Sequence, residues 1–340
     1  MESSPDDALP TELRLSLDWE LWVVEQLLFS GKRDDLVNVL ARQGVEPALA
    51  KARVLEILRS DGFARLRDRL SGATMAAKLQ RLDEQLRVEQ SLIVRRDVDP
   101  ESFLAGHWIA SRPVLLTEAA QSMVAVQRWS LRVLAERFGE VAVEVNVDRM
   151  AATRAAQTER GARQMPLAQL IALADEGPSN DAYIVSRNGL MSNPGLAALW
   201  DDLQPLPAVL EPPRRPRGVS MWLGPAGTVT PPHFDPHNVL LVQVQGRKRV
   251  RLGPRVDTRT QEHLDGFYLD GTLDDVFGDR VITCELSPGQ ALFVPVGWVH
   301  EVTALDPSIT LSFLNFPWPN HFHWLGHAGS DDEARGGAPW

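Results

Sequence analysis

The chain contains the stretch Trp222-Leu-Gly-Pro-Ala-Gly-Thr-Val-Thr-Pro-Pro-His-Phe-Asp235, in which a β-prone run leads into a His-x-Asp sequence. Residues i and i+2 of an extended chain point to the same side, so His233 and Asp235 are expected to aim an imidazole and a carboxylate at one point. We expect this segment to end the strand that begins at Val219. A three-residue match is common by chance, and the neighbouring sequence must support it.

A second histidine follows in Pro295-Val-Gly-Trp-Val-His300, after a turn at Gly289 and the apolar run Ala291 to Val294. This order predicts that the histidine lies just past a strand. Two histidines and one carboxylate form a facial triad that leaves three positions of an octahedral ion open, which is typical of non-haem Fe(II) oxygenases. The sequence therefore predicts a metal site in which His300 joins His233 and Asp235.

A lysine follows the first motif across a tight turn, in the basic run Arg247-Lys-Arg-Val-Arg251. Strand alternation sends Lys248 inward and its two arginine neighbours towards solvent. An inward lysine offers a point positive charge to a carboxylate, and Thr230 is placed to donate a second hydrogen bond. The alternative is a solvated lysine in a turn.

The whole chain divides into a helical module, residues 1–90, and a β-rich domain, residues 91–340, which contains the motifs described above. Helical spacing predicts a first helix with the stripe Leu13, Leu17, Leu21, Val24 and Leu28, ended by Ser30-Gly31. Later helices are expected to open at Asp34-Asp35 and at Pro47, and a fourth to carry Leu79, Leu82 and Leu86. Trp19 and Trp22 are expected in a core, and docking on the β-rich domain or on a second subunit of a homodimer stays open.

The β-rich domain shows short apolar runs separated by glycine and proline turns, which predicts a sandwich or barrel. Helices are expected between the runs, over Ser130 to Phe138 and Leu167 to Ala174. The runs are Leu92–Val94, Pro113–Thr117, Val141–Val147, Tyr183–Val185, Val219–Leu223, Val239–Gln245, Lys248–Leu252, Val281–Leu286, Ala291–Val294 and Ile309–Leu314.

Composition narrows the function classes. A net charge of -10 argues against a broad nucleic-acid-binding surface. The single cysteine, Cys284, excludes an intrachain disulfide and argues against a cysteine-based zinc site. No signal peptide and no run of about 18 apolar residues is recognised, so we expect a cytoplasmic protein without membrane contact.

The two ligand segments resemble the JmjC and cupin-like Fe(II)- and 2-oxoglutarate-dependent oxygenases, in particular the hydroxylase branch that includes the asparaginyl hydroxylase inhibiting hypoxia-inducible factor. The resemblance is dense from Gly218 to Pro319 and looser from Leu92 to Pro207. It implies an α+β fold with a double-stranded β-helix (cupin or jelly-roll) core and flanking helices. It also implies Fe(II) at the triad, with 2-oxoglutarate as cosubstrate and dioxygen as oxidant.

The resemblance further implies that the distal carboxylate of 2-oxoglutarate is bound by Lys248 and Thr230, with Tyr183 beside it. It places Asn315 where the asparaginyl hydroxylase has a pocket asparagine. One position departs from the pattern, because Val239 stands where members often carry asparagine, and Asn238 is one residue early. The neighbouring His237 is expected at the pocket rim, and the tail histidines His321, His323 and His327 are expected to pack beside aromatic residues.

The function expected from the resemblance is hydroxylation of an amino-acid side chain in a peptide or protein. Three alternatives stay open at this point. They are a catalytically silent cupin-like binding module, a small-molecule hydroxylase of the same fold, and a different metal, such as Mn or Zn, that supports isomerase or hydrolase chemistry.

Overall fold

A computed structural model describes residues 15–28, 33–67, 91–149, 162–256, 260, 263–320 and 322. The chain separates into two compact units, Met1–Arg87 and Val88–Trp340. The expected helix stop at Ser30-Gly31, the fourth helix with Leu79, Leu82 and Leu86, and the tail histidines His321, His323 and His327 lie outside the described residues.

The first unit is helical, with helices Leu17–Leu28, Arg33–Arg42 and Pro47–Arg59, and further helix over residues 61–67. The third helix begins at Pro47, as predicted, because proline lacks the N–H that the first turn leaves unpaired. The Glu46 carboxylate accepts a hydrogen bond from the backbone N–H of Leu49 at 2.7 Å and caps this start. The core includes Val23, Leu40 and Val54.

The predicted stripe of the first helix is wrong at Leu21. Leu21 is 54% exposed, whereas Val23 is buried. Trp19 and Trp22 pack against the core of this unit, with their rings edge to face at 5.4 Å between centroids. Tryptophan carries more apolar surface than leucine, so burying the tryptophan face removes more of it from water than burying Leu21 would.

The described residues of the second unit form two six-stranded sheets and a two-stranded one. The strands are β1 (Ile93–Arg95), β2 (Val114–Leu116), β3 (Ala142–Asn146), β4 (Ala162–Pro166), β5 (Val219–Gly224), β6 (Val229–His233), β7 (Val239–Gln245), β8 (Lys248–Arg255), β9 (Leu264–Asp265), β10 (Tyr268–Leu269), β11 (Ile282–Leu286), β12 (Ala291–Val294), β13 (Trp298–Ala304) and β14 (Ser308–Phe313). The first sheet has the order β1-β2-β12-β7-β14-β5, the second β11-β8-β13-β6-β10-β9, and the third pairs β3 with β4.

Successive strands alternate between the two large sheets. From β5 to β8, and again from β11 to β14, each strand lies in the sheet opposite to the one before it. The crossing from β7 to β8 uses Gly246, which has φ +70°, and a Cβ there would lie 2.4 Å from the carbonyl oxygen of Pro307. The winding of one chain through two facing sheets is that of a double-stranded β-helix, as predicted.

The inner strands β2, β12, β7 and β14 of the first sheet are buried on both faces, which explains their continuous apolar runs. Leu240 and Val242 of β7 belong to the core shared with the flanking helices. Their neighbours Val239 and Leu241 point the other way and join Val250 of β8 in the core between the sheets. The alternation in β7 follows from the two-residue period of a strand.

The flanking helices begin where the sequence predicts. The helix Leu131–Phe138 has Ser130 as its N-cap, and the Ser130 hydroxyl accepts from the N–H of Val133 at 3.1 Å. The helix Leu167–Asp175 buries Leu170 and Ile171 against the same core. In the described part of the chain, no helix is long and apolar enough to cross a membrane.

The structure corrects two predictions about the ligand segments. His233 does not continue the strand that begins at Val219, because that strand ends at Gly224 and β6 starts at Val229 in the other sheet. His300 does follow the predicted strand, β12, but it is not at a strand end, because it lies inside the further strand β13. In both cases a glycine-containing turn begins a new strand in the opposite sheet, a step that local β-propensity does not indicate.

Candidate metal centre

The three predicted metal ligands meet at one end of the second sheet. His233 is the last residue of β6 and lies opposite His300 in the ladder between β6 and β13. Asp235 follows β6, and its backbone carbonyl accepts from the N–H of Gly297 at 3.1 Å, which joins the two ligand segments. One potential ligand atom of each residue lies within 4.8 Å of the others. The ring centroids of the histidines are 4.1 Å apart, and His300 Nε2 is 3.6 Å from Asp235 Oδ2.

Backbone carbonyls fix the tautomer of both histidines. His233 Nδ1 lies 2.8 Å from the carbonyl oxygen of Pro231, and His300 Nδ1 lies 3.0 Å from that of Trp298. A carbonyl oxygen only accepts, so each Nδ1 carries the hydrogen and donates. The Nε2 lone pairs are therefore available for a metal, which is how ligating histidines are commonly oriented.

The electrostatics of the centre keep His300 neutral. Burial, and to a lesser degree the neighbouring His233, lower the pKa of His300 from its usual 6.5 to about 4, against the opposing effects of Asp235 and of the Trp298 carbonyl. A histidine with a pKa near 4 is unprotonated at pH 7 and does not need to lose a proton before it binds a metal.

A buried lysine and tyrosine meet at the other end of the same strands. Lys248 begins β8 and is only 2% exposed, while Arg249 beside it is exposed, as strand alternation predicts. Lys248 Nζ donates to Tyr183 Oη at 3.0 Å. Gly224 makes room for the tyrosine, because a Cβ at Gly224 would lie 2.7 Å from Tyr183 Cδ2. Since an ammonium group has no acceptor, the Tyr183 hydroxyl keeps its own proton for another acceptor.

The structure adds a buried arginine to this end of the site that sequence reasoning missed. Arg149 is fully buried, and its guanidinium carbon lies 5.0 Å from the centroid of the Tyr183 ring. It donates to the side-chain oxygen of Asn180 at 2.9 Å and to the carbonyl of Val229 at 2.8 Å. Burial lowers the pKa of Arg149, which marks the cost of desolvating its charge. Arg149 thus fixes both the tyrosine and the start of β6, in which the next residue is Thr230.

A single cavity of about 790 Å³ connects the two ends. The three predicted ligands line it together with Lys248, Tyr183 and Thr230, the last of which is 5% exposed. His237 and Val239 also line it, the former where a rim residue was expected. Six of the seven predicted site residues therefore surround one space that joins the triad to a buried cation.

Asn315 is the predicted site residue that the structure does not place there. Its side-chain nitrogen donates to the carbonyl of Glu211, and within the described residues the cavity is lined by Leu314 but not by Asn315. Neighbouring residues of an extended chain point to opposite sides, so a leucine facing inward turns the asparagine away. The prediction for Asn315 is corrected accordingly.

Asn238 has a structural role beside the triad. Its side-chain oxygen accepts from the N–H of Val296 at 2.9 Å, and its side-chain nitrogen donates to Asn320 at 3.1 Å. It therefore fixes the turn that leads into β13 and His300, while Val239 presents an apolar surface to the cavity.

Tyr268 is a further cavity residue that sequence reasoning missed. It lies opposite His233 in the ladder between β10 and β6, with ring centroids 6.0 Å apart. The chain contains two tyrosines, and both line the cavity. The small number of tyrosines was the only signal for Tyr268 in the sequence, because β10 is two residues long and is too short to show a periodic pattern.

Comparison with known proteins agrees with this geometry. The cupin-like domain family matches residues 100–262, and the JmjC domain family matches residues 210–321. Lysine-specific demethylase 8 of Xenopus tropicalis is 38% identical over 107 residues, 28% of this chain and 24% of that protein. Lysine-specific demethylase JMJ30 of Arabidopsis thaliana is 34% identical over 118 residues, 31% of this chain and 26% of that protein.

A third relative carries a different name. HSPB1-associated protein 1 homolog of Danio rerio is 34% identical over 139 residues, 36% of this chain and 29% of that protein. The matches therefore span about a quarter of the length of these relatives. The JmjC match covers the three residues of the triad and the strands β5 to β14, and the chain therefore carries cupin-like and JmjC domains over residues 100–321.

Proposed function

We propose that the chain is an Fe(II)- and 2-oxoglutarate-dependent oxygenase that hydroxylates an amino-acid side chain in a peptide or protein. One observation carries the proposal: the triad and the buried Lys248–Tyr183 pair line the same cavity. A dicarboxylate with a chelating oxo-acid group needs a metal at one end and a cation at the other. A cupin-like module without catalysis would have no use for a lysine buried to this degree, because burying a charge is costly.

The residues of the centre fit Fe(II). Two imidazoles and one carboxylate give the two-histidine, one-carboxylate donor set that suits this ion and leaves positions open for other ligands. His233 and His300 would bind through Nε2, and Asp235 through a carboxylate oxygen. Fe(II) held there supplies the redox chemistry that couples dioxygen to oxidation of 2-oxoglutarate and of a C–H bond.

The residues at the far end fit a carboxylate. Lys248 supplies the positive charge, and the proton of the Tyr183 hydroxyl is available to donate. Thr230 lies on β6 between Val229 and the metal ligands and offers a third donor. Charge-assisted hydrogen bonds of this kind are strong where water is excluded, so this end orients the cosubstrate towards the triad.

The cavity has room for more than the cosubstrate. Its volume of about 790 Å³ lies in the upper part of the range for small-molecule sites, whereas 2-oxoglutarate has only ten non-hydrogen atoms. Val239 and Phe234 line the space near the triad and keep it apolar, which excludes water from the reacting C–H bond. The volume that 2-oxoglutarate leaves free is large enough for a side chain of a peptide, which supports such a side chain as the group that is oxidised.

N-methyl-lysine demethylation is the second candidate, because two of the relatives are named as lysine-specific demethylases. It begins with the same oxidation of a C–H bond and ends with the release of formaldehyde. The charges of the cavity favour the first candidate, because the exposed Arg217 lines it and repels a cationic substrate.

Turnover tests the proposal. We expect purified protein with Fe(II), ascorbate and 2-oxoglutarate to release succinate, and a degenerate peptide mixture to increase the rate and gain the mass of one oxygen atom. Arg249→Ala changes an exposed residue beside Lys248, and this variant should keep the turnover of the unsubstituted protein. Formaldehyde released in step with succinate would favour the demethylase. If the protein showed no turnover and bound no 2-oxoglutarate, the oxygenase would be refuted and the binding module would remain.

A further inference from the structure

The backbone does not hold the three triad residues in the same way. His233 ends β6 and His300 lies inside β13, and each is paired with a neighbouring strand on both sides. Asp235 lies outside the strands, in the loop of residues 234–238 that crosses from β6 in the second sheet to β7 in the first. A carboxylate on a loop moves with that loop, so its orientation depends on the groups that fix the loop.

The C-terminal part of the described chain fixes the end of this loop. The N–H of Phe322 donates to the carbonyl of Pro236 at 3.0 Å. Asn320 Oδ1 accepts from the N–H of Asn238 at 2.7 Å, and Asn320 Nδ2 donates to the carbonyl of Asn238 at 2.9 Å. One side-chain amide thus pairs with both main-chain groups of Asn238, as a residue of a neighbouring antiparallel strand would.

The amide of Asn320 uses its full hydrogen-bonding capacity. Its Oδ1 also accepts from Asn238 Nδ2 at 3.1 Å, and its Nδ2 also donates to the carbonyl of Leu314 at 3.2 Å. An amide oxygen can accept two hydrogen bonds and an amide nitrogen can donate two. Asn320 is 6% exposed, and a buried polar group that loses its partner is costly. The pairing therefore requires an asparagine and not merely a side chain of that size.

The same pair of asparagines joins the two ligand segments. Asn238 Oδ1 accepts from the N–H of Val296 at 2.9 Å, in the turn between β12 and β13. The next residue of that turn, Gly297, donates its N–H to the carbonyl of Asp235 at 3.1 Å. Asn320 therefore acts on a connected set of contacts that includes the main chain of the carboxylate ligand and the turn into β13.

We propose that Asn320 is a positioning residue of the metal centre, which fixes the loop of residues 234–238 so that the Asp235 carboxylate faces the two histidines. Asn320 is not among the described residues that line the cavity, so it acts through Asn238 and not on the metal itself. The inference rests on the proposed function only for the presence of a metal at the triad, and it is independent of the substrate.

Metal binding tests the inference without turnover. Co(II) is titrated under nitrogen into metal-free protein, and its visible absorption reports both the affinity and the geometry of the ligands. Asn320→Asp keeps the shape of the side chain and replaces the Nδ2 donor by an oxygen that faces the carbonyls of Asn238 and Leu314. We expect Co(II) to bind roughly 10-fold more weakly and its absorption bands to shift, because the ligand loop is no longer fixed.

Asn193→Asp is the matched control. Asn193 Nδ2 donates to the carbonyl of Ala142 at 2.8 Å, and its Oδ1 accepts from the N–H of Gly195 at 2.9 Å. Asn193 is not among the described residues that line the cavity. This variant loses the same kind of donor, so it should lower the free energy of unfolding and leave the Co(II) affinity within about 2-fold.

A second pair of variants applies if Asn320→Asp does not fold. Phe322→Pro removes the N–H that binds Pro236, whereas Phe322→Ala removes the same side chain and keeps the N–H. We expect Co(II) to bind Phe322→Pro about 3-fold more weakly than it binds Phe322→Ala.

The outcomes separate the inference from the proposed function. The inference is overturned if Asn320→Asp folds, keeps its Co(II) affinity within about 2-fold and keeps the absorption bands, or if Asn193→Asp loses as much affinity. Equal affinity of the two Phe322 variants overturns it if Asn320→Asp does not fold. In each of these cases the triad still binds Co(II) and the proposed function stands. If the unsubstituted protein bound no Co(II), the metal centre would be wrong and the proposed function would fail with it.

Discussion

The two ends of the cavity are built in different ways. The metal end takes His233, Asp235 and His300 from two short segments held by backbone carbonyls. The carboxylate end takes Lys248, Tyr183 and Arg149 from three distant parts of the chain, in contact through side chains. One end therefore depends on local chain geometry and the other on tertiary packing, and substitutions should affect them in different ways.

Removing a metal ligand should have the largest effect. We expect Asp235→Ala to lower succinate formation by roughly 1,000-fold or more, because two imidazoles alone hold a divalent ion weakly and leave its charge uncompensated. Bound metal after gel filtration should fall in parallel, while the circular dichroism spectrum stays unchanged. Turnover within 10-fold of the unsubstituted protein would remove Asp235 from the ligand set.

Removing the buried arginine should break the carboxylate end alone. Arg149→Met eliminates the bonds to Asn180 and Val229 and the contact with the Tyr183 ring. We expect the KM for 2-oxoglutarate to rise roughly 10- to 30-fold with kcat within about 3-fold, because the metal end is untouched.

A matched variant controls for loss of an arginine. Arg163→Met removes an exposed guanidinium paired with Asp148, and it should change neither constant. If Arg149→Met lowered kcat and metal content and left the KM unchanged, its proposed positioning of Tyr183 would be wrong.

A methyl group at Gly224 sharpens the comparison further. Gly224→Ala places a Cβ 2.7 Å from the Tyr183 ring, so the ring must move away from Lys248. We predict a KM for 2-oxoglutarate raised roughly 3- to 10-fold and a free energy of unfolding lowered by about 1–3 kcal/mol. Gly106→Ala meets no atom within 4 Å and is the matched control. Equal behaviour of the two variants would contradict the packing described for Tyr183.

The pH dependence of the metal-free protein reports on the metal end. The pKa of His300 is about 4 in the folded chain and near 6.5 when unfolded, so between these values the unfolded chain binds more protons. The unfolding free energy should therefore fall as the pH drops from 6.5 towards 4, by up to about 1.4 kcal/mol per pH unit from this residue. Denaturant titrations in chelator should show a smaller slope for His300→Gln. An unchanged slope would show that His300 titrates normally.

The sequence predicted the metal end more completely than the carboxylate end. His233 and His300 were identifiable because each stands in a short motif, although β6 and β13 themselves were misplaced. Lys248 and Tyr183 were inferred from alternation and from family resemblance, without the contact between them. Arg149 could not be predicted, because it reaches the site through long-range packing that leaves no local pattern. For Tyr268 the sequence offered only the small number of tyrosines as a signal.

The fold shows the same division. The alternation of β7, the N-cap at Ser130 and the start of the third helix at Pro47 could be predicted because they arise from residues near one another in sequence. The buried face of the first helix could not be predicted, because either Leu21 or Val23 could enter the core and only tertiary packing decides between them. Asn315 was misassigned for a related reason, because its orientation depends on which neighbour faces inward.

The central claim is that one cavity holds a dicarboxylate between the triad and Lys248, and cosubstrate discrimination tests it most directly. Calorimetry under nitrogen would compare 2-oxoglutarate with 2-oxovalerate, which keeps the oxo-acid but lacks the distal carboxylate, on Mn(II)-loaded protein. We predict that the unsubstituted protein and Arg249→Met favour 2-oxoglutarate by roughly 100-fold and that Lys248→Met reduces this to about 3-fold or less. Undiminished discrimination in Lys248→Met would contradict the account.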